Sequence, residues 1–327
     1  MNGEQAPCRR RKQALFLIHP KSDLRTTAQR TLQSPAEPSP LLCAYRASHP
    51  EIDSLLFNRC SLLLRFMQLG ICADTATLAL LSPSPGIDFI EGFTQELLQP
   101  ETSDATRTKP AEALLAQGFS LPASNRFLPA DLKVVGPDVD LARLDRFAET
   151  TFRRAKEINM TLVVFGSAGA RMIPPGFSAA TSFEQFVDVL RQIGPLAEEN
   201  GVTLLVEPLN RGECNCINTI LEGAEAVRRA NTHGVKLLVD IFHMLRNGES
   251  ADDIVKVAPL IRHVHVAENK DRAAPGIHGE NFRGFFRALR RAHYHERLTI
   301  EATWTEFPHQ VAPALAALRT QLRDSGY

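Results

Sequence analysis

At 327 residues, with 44% hydrophobic and 23% charged side chains, the chain is too long for a stapled mini-scaffold and has the composition of a globular protein with a sizeable core. Its 37 basic and 37 acidic residues cancel, which removes the bulk electrostatic case for nucleic acid or an anionic membrane as partner. The six cysteines form no disulfide framework, Cys214-Asn-Cys216 lacks the spacer of a redox or zinc motif, and no apolar stretch approaches the roughly 18 residues that span a bilayer, so a cytoplasmic location is expected.

Residues 1–62 carry RRRK (9–12), the turn-rich SPAEPSP (34–40) and no sustained periodicity. They are expected to be a poorly ordered N-terminal extension with no part in chemistry. The rest, 63–327, reads as one domain. Short apolar or β-branched runs alternate there with amphipathic stretches, the pattern of a parallel α/β sheet. In chain order the runs are MQLGIC (67–72), IDFIEG (87–92), FSLPASN (119–125), MTLVVFG (160–166), VTLLVE (202–207), VKLLVD (235–240), IRHVHV (261–266) and LTIE (298–301). The first two runs lie so close together that the helix between them must be short.

Leu144, Phe147, Phe152 and Ala155 mark one helix. Thr181 with Glu184 predicts a capping box for the next, continued by Phe183, Phe186, Val187, Leu190 and Ile193 and stopped by Gly201. Ser250 with Asp253 predicts a further start, and Phe282, Phe285, Phe286 and Leu289 another helix. Eight strand–helix units suit a (β/α)8 TIM barrel better than an open doubly wound sheet.

In such a barrel the chemistry lies at the C-terminal strand ends. Strand five ends in Glu207, strand six in Asp240, strand seven carries His265 and strand eight ends in Glu301. One acid at a strand end is ordinarily a cap or a loop ion pair; four such groups in succession, each after an apolar run, are not. Three close carboxylates repel one another unless a cation supplies positive charge. The set therefore predicts a divalent metal site, with Mn2+ favoured, Mg2+ and Co2+ suitable, and Zn2+ or Fe2+ open.

On strand seven, His265 is taken as the inward-facing residue and His263 as facing the helices. His243, three residues past Asp240, is open to three readings: a second metal, a substrate oxygen, or packing against Phe242. GSAGAR (166–171) follows strand four and is either an anion cradle with Arg171 or a plain glycine-rich turn. Trp304 and Phe307 are candidates for a cleft wall, and His278 reads as a loop residue.

The chain resembles the xylose-isomerase-like TIM barrels of the sugar isomerase/epimerase superfamily, and among them the ketose 3-epimerases of the tagatose and psicose type. The resemblance covers about residues 66–322 and is carried by EPLNRGE (207–213), DIFHM (240–244), HVHVAEN (263–269) and the last-strand Glu301. It implies Glu207, Asp240, His265 and Glu301 as metal ligands, Glu207 and Glu301 also as the acid/base pair, and Glu213 and His243 as substrate-binding groups. The family's arginine after the strand-seven histidine aligns with Asp271, one residue short of Arg272, which is the substrate-binding candidate. It also implies a small sugar or sugar phosphate as partner, in a chain that can form homo-oligomers.

The expected activity is isomerisation or epimerisation through an enediolate. Two alternatives stand beside it. A sugar or inosose dehydratase would use the same chemistry and expel a hydroxyl. An apurinic-site endonuclease would need histidines from the first half of the barrel, where the chain has none between His49 and His233.

Overall fold

A computed structural model of the chain describes residues 67–83 and 86–327. The expected N-terminal extension and its boundary near residue 62 lie outside the described residues. The eight strands are β1 (Gln68–Cys72), β2 (Phe89–Phe93), β3 (Ala123–Asn125), β4 (Leu162–Phe165), β5 (Thr203–Val206), β6 (Val235–Asp240), β7 (Ile261–Val266) and β8 (Arg297–Ile300). All pair in parallel in chain order, and β8 returns to β1 to close the barrel. Each falls within or beside its predicted run. The helix between β1 and β2, Thr75–Leu78, has only four residues.

Alternation along the strands divides the buried side chains into two sets. Outward residues such as Val163, Phe165, Leu204, Val206, Leu237, Val239, Val264 and Ile300 belong to the large core beneath the helices. Inside the barrel, Ala123, Leu162, Val164, Leu205 and Leu238 form a small separate apolar cluster. Facing that cluster, β2, β7 and β8 bring Glu91, His263, His265 and Thr299 inward, all fully buried. The barrel interior is thus apolar on one side and polar on the other. Gly70 makes room there for Phe89, since a Cβ at Gly70 would lie 2.2 Å from the Phe89 ring.

This arrangement corrects the expectation for strand seven. His263 and His265 are two residues apart and so share a face. Both enter the barrel, with ring centroids 5.0 Å apart.

The helix caps also differ from expectation. The helix Ala179–Glu199 begins before Thr181, capped by Ser178, whose side chain accepts the Thr181 N–H at 3.2 Å. Glu184 is then free to pair with Arg229. Gly201 does follow the helix, at φ +68°, where a residue without Cβ is least strained. Ser250 caps no long helix: the segment Asp253–Lys256 is a single turn starting at Asp252. A complete capping box occurs instead at Thr219 and Glu222, opening the helix Ile220–Ala230. None of the described helices is long and apolar enough to cross a membrane.

Candidate metal centre and cleft

Glu207 follows β5, Asp240 ends β6, His265 lies in β7 and Glu301 follows β8, so consecutive strands bring all four to one rim of the barrel. One ligand atom from each lies within 4.8 Å of the other three. The β6–β7 register sets Asp240 directly beside His265. His265 Nδ1 is 3.3 Å from Glu207 Oε1 and 3.2 Å from Glu301 Oε2. Asp240 Oδ1 accepts the Phe242 N–H at 2.8 Å, which turns its second oxygen toward the same point.

Among the described residues, no well-formed hydrogen bond reaches the buried Glu207 Oε1 or Asp240 Oδ2; their nearest polar neighbours are His265 Nδ1 at 3.3 Å and His243 Nε2 at 3.4 Å. Orphaned buried carboxylate oxygens cost stability unless a cation meets them. Three carboxylates and one imidazole on a common centre fit a divalent ion that accepts mixed oxygen and nitrogen ligands.

The electrostatics express the same conflict. Burial pushes Asp240 up to about 7, with the charges of Glu207 and Glu301 adding to it against the pull of Arg272. Burial likewise raises Glu207, helped by Glu301 and opposed by His265. Burial disfavours charge on His265, yet Glu91, Glu207 and Glu301 around it raise its pKa well above the usual value. Glu301 is driven the other way, because Arg272 and His265 outweigh its burial and hold it well below the ordinary carboxylate range.

Arg272 supplies much of this positive charge. Its guanidinium stacks over Phe242 at 4.6 Å, and Nη2 lies 2.6 Å from Glu301 Oε2 and 3.7 Å from Asp240 Oδ2. Nη1 is 3.5 Å from Glu213. Asp271 turns away to His278, at 3.2 Å, so the arginine that reaches the centre is Arg272.

Glu213 accepts from Asn210 Nδ2 at 2.8 Å, and the Asn210 backbone N–H donates to His243 Nδ1 at 3.2 Å. That bond leaves the proton of a neutral His243 on Nε2, a buried nitrogen that makes no well-formed hydrogen bond among the described residues and lies 3.4 Å from Asp240 Oδ2. Burial, reinforced by Arg272, lowers His243 to about 3. His243 is therefore a neutral donor beside the acids.

Of these groups Glu207, Glu213, His243, Arg272 and Glu301 line a cleft of about 230 Å³, together with Gln95, Asn125, Arg126, Leu128, Leu209 and residues 166–169; Asp240 and His265 lie behind the lining. Gly166 has a strict reason to be glycine: a Cβ there would sit 2.1 Å from Glu207 Oε2. Arg171 does not face the cleft, which removes it from any anion cradle. It is fully buried, packs over Phe165 and Phe186, and donates to the Glu207 carbonyl at 2.9 Å. Trp304 and Phe307 pack on each other outside the cleft lining, and the Trp304 indole N–H donates to the Cys72 carbonyl.

Two buried polar residues at this end of the barrel escaped the sequence reading. Asn125 donates to Glu301 Oε1 at 2.7 Å. Glu91 lies in β2 against His263 and His265. Its signal was available, because IDFIEG places a carboxylate in an apolar run just as VTLLVE does.

The sequence matches the family described as xylose isomerase-like TIM barrel over residues 84–323. It is 34% identical over 98 residues to a D-psicose 3-epimerase of Agrobacterium fabrum, covering 30% of this chain and 34% of that protein. To a 3-dehydro-D-guloside 4-epimerase of Escherichia coli it is 30% identical over 136 residues, covering 41% of this chain and 52% of the other. The chain thus aligns with about a third to a half of the length of these curated relatives. The crystal structure of a D-psicose 3-epimerase from Clostridium cellulolyticum H10 with D-tagatose superposes with a TM-score of 0.66 at 22% identity, covering 79% of this chain and 99% of that one. At that identity the likeness concerns the fold.

Proposed function

We propose, starting from the fact that the chain belongs to the xylose isomerase-like TIM barrel family, that it is a divalent-metal-dependent sugar epimerase or isomerase. The observation that carries this reading is the convergence of Glu207, Asp240, His265 and Glu301 on one point, with Glu207 and Glu301 also lining the adjoining cleft. Relatives named as 3- and 4-epimerases of sugars support it.

Glu207, Asp240, His265 and Glu301 would hold the cation, with Mn2+ preferred for a mixed oxygen and nitrogen set. When bound, such an ion polarises a substrate carbonyl and offsets charge developing on its oxygens. The protein's own groups do the rest. Glu207 and Glu301 come from β5 and β8, on different sides of the barrel mouth. One carboxylate takes the proton from the carbon beside the carbonyl, and the other returns a proton to the opposite face of the enediolate, inverting that carbon. His243 donates its Nε2–H to a substrate oxygen, while Glu213 and Arg272 bind neighbouring hydroxyls. Asn125 and Arg272 hold Glu301 from two directions and so orient it.

The cleft, at about 230 Å³, lies below the ~300–1,000 Å³ of drug-sized sites and suits a monosaccharide or its phosphate. Cys72, Cys214 and Cys216 are buried free thiols, in keeping with a reducing cytoplasmic setting. A homo-oligomer is part of the same reading, by analogy with the family.

The test is incubation of the purified protein and Mn2+ with a panel of ketoses in D2O, followed by NMR and mass spectrometry. Deuterium entering the carbon beside the carbonyl, in a product changed in mass only by the label, is the expected result. A product lighter by water would assign a dehydratase. No exchange with any member of the panel overturns the reading.

A further inference from the structure

We propose that Glu91 is a positioning residue that fixes the ring and tautomer of His265, so that Nδ1 is the nitrogen offered to the cation; this rests on the metal reading above. Glu91 is fully buried in β2, deep to the cleft, and the cleft lining does not include it. Its Oε1 and Oε2 lie 3.1 and 3.3 Å from His265 Nε2. On the other edge of the same ring, Nδ1 faces Glu207 and Glu301. An imidazole whose Nε2–H is donated to Glu91 carries its lone pair on Nδ1, pointing at the metal site.

Glu91 is itself held. Oε2 accepts from Thr299 Oγ1 at 2.9 Å and lies 2.9 Å from His263 Nε2. Thr299 Oγ1 is in turn 3.1 Å from His263 Nε2. Side chains from two strands, β7 and β8, therefore clamp one carboxylate, leaving it little rotational freedom, and that carboxylate orients one ring. Burying a carboxylate is costly unless partners meet it, and here the partners are His263, His265 and Thr299, of which only His265 also faces the metal site. Outer groups bonded to a metal-binding histidine typically contribute 10–100-fold in metal affinity.

The experiment compares wild type, Glu91→Leu and Glu91→Gln by Mn2+ titration calorimetry, alongside thermal unfolding of the metal-free proteins. Long-range 1H–15N NMR of the His265 ring in Zn2+-loaded wild type runs beside it. The expected results are a roughly 10–100-fold loss of Mn2+ affinity in Glu91→Leu and only a few-fold loss in Glu91→Gln, whose amide oxygen still accepts from Nε2–H. In wild type the ring proton should sit on Nε2. Wild-type Mn2+ affinity in Glu91→Leu overturns the proposal, as does a ring proton on Nδ1. The NMR result decides even if Glu91→Leu fails to fold. A wild type that binds neither Mn2+ nor Zn2+ removes the metal reading itself, an outcome distinct from binding that ignores Glu91.

Discussion

At the scale of single residues, the proposed scheme gives Glu207 and Glu301 two tasks, holding the cation and moving the proton, and substitutions can be read for each. Glu207→Gln and Glu301→Gln preserve shape and remove a proton acceptor. Because both also belong to the proposed ligand set, each is measured at saturating Mn2+, where deuterium exchange is expected to fall by roughly 10²–10⁴-fold. Exchange near the wild-type rate in either variant would rule out the two-glutamate scheme. Gly166→Ala tests the same point sterically, since its Cβ would intrude 2.1 Å from Glu207 Oε2. Displacement of that carboxylate should depress turnover strongly while circular dichroism stays native. Arg272→Met should split two functions. Removing a positive charge beside Glu301 and Asp240 strengthens the attraction of those carboxylates for a divalent ion. Mn2+ should therefore bind about tenfold more tightly or better, by about 1.4 kcal/mol or more, while KM for substrate rises. Weaker Mn2+ binding in calorimetry would contradict this account.

At the scale of elements, strands announced themselves better than helix starts. A run such as VTLLVE is buried on both faces of a parallel sheet, so it stays apolar until the rim and stops at the functional residue. Helix starts depend on which of several neighbouring serines and threonines wins the first turn, and Ser178 won over Thr181. Glu249 shows what an element boundary can do electrostatically. It accepts the Ile220 N–H at 2.8 Å, at the start of the helix Ile220–Ala230, and burial pushes its pKa from the ordinary 4.5 to about 7. The folded state thus binds more protons than the unfolded chain between those values, and this group's contribution to stability falls as pH rises through the window. Glu249→Gln is expected to flatten the decline in melting temperature between about pH 4.5 and 7. An unchanged slope would show that Glu249 is not its source.

At the scale of the whole molecule, the proposed metal would couple to the fold. An ion that binds the folded protein alone stabilises it by about 2.7 kcal/mol at a hundred times its Kd. Chelation should abolish exchange and lower the melting temperature, and added Mn2+ should restore both; exchange that survives chelation would refute the metal requirement. The sequence by itself determined the eight strands and the (β/α)8 class. It also marked out Glu207, Asp240, His265 and Glu301, because each signal is a local interruption of an apolar run. Only the tertiary structure decided that Arg272 and not Asp271 reaches Glu301, that Arg171 lies buried behind Glu207, and that Glu91 meets His263 and His265 from 172 and 174 positions away. The physical reason is that periodicity reports which way a side chain points from its own strand. Which groups meet inside the barrel depends on register, strand tilt and closure of β8 on β1, and these arise only when all eight strands pack together.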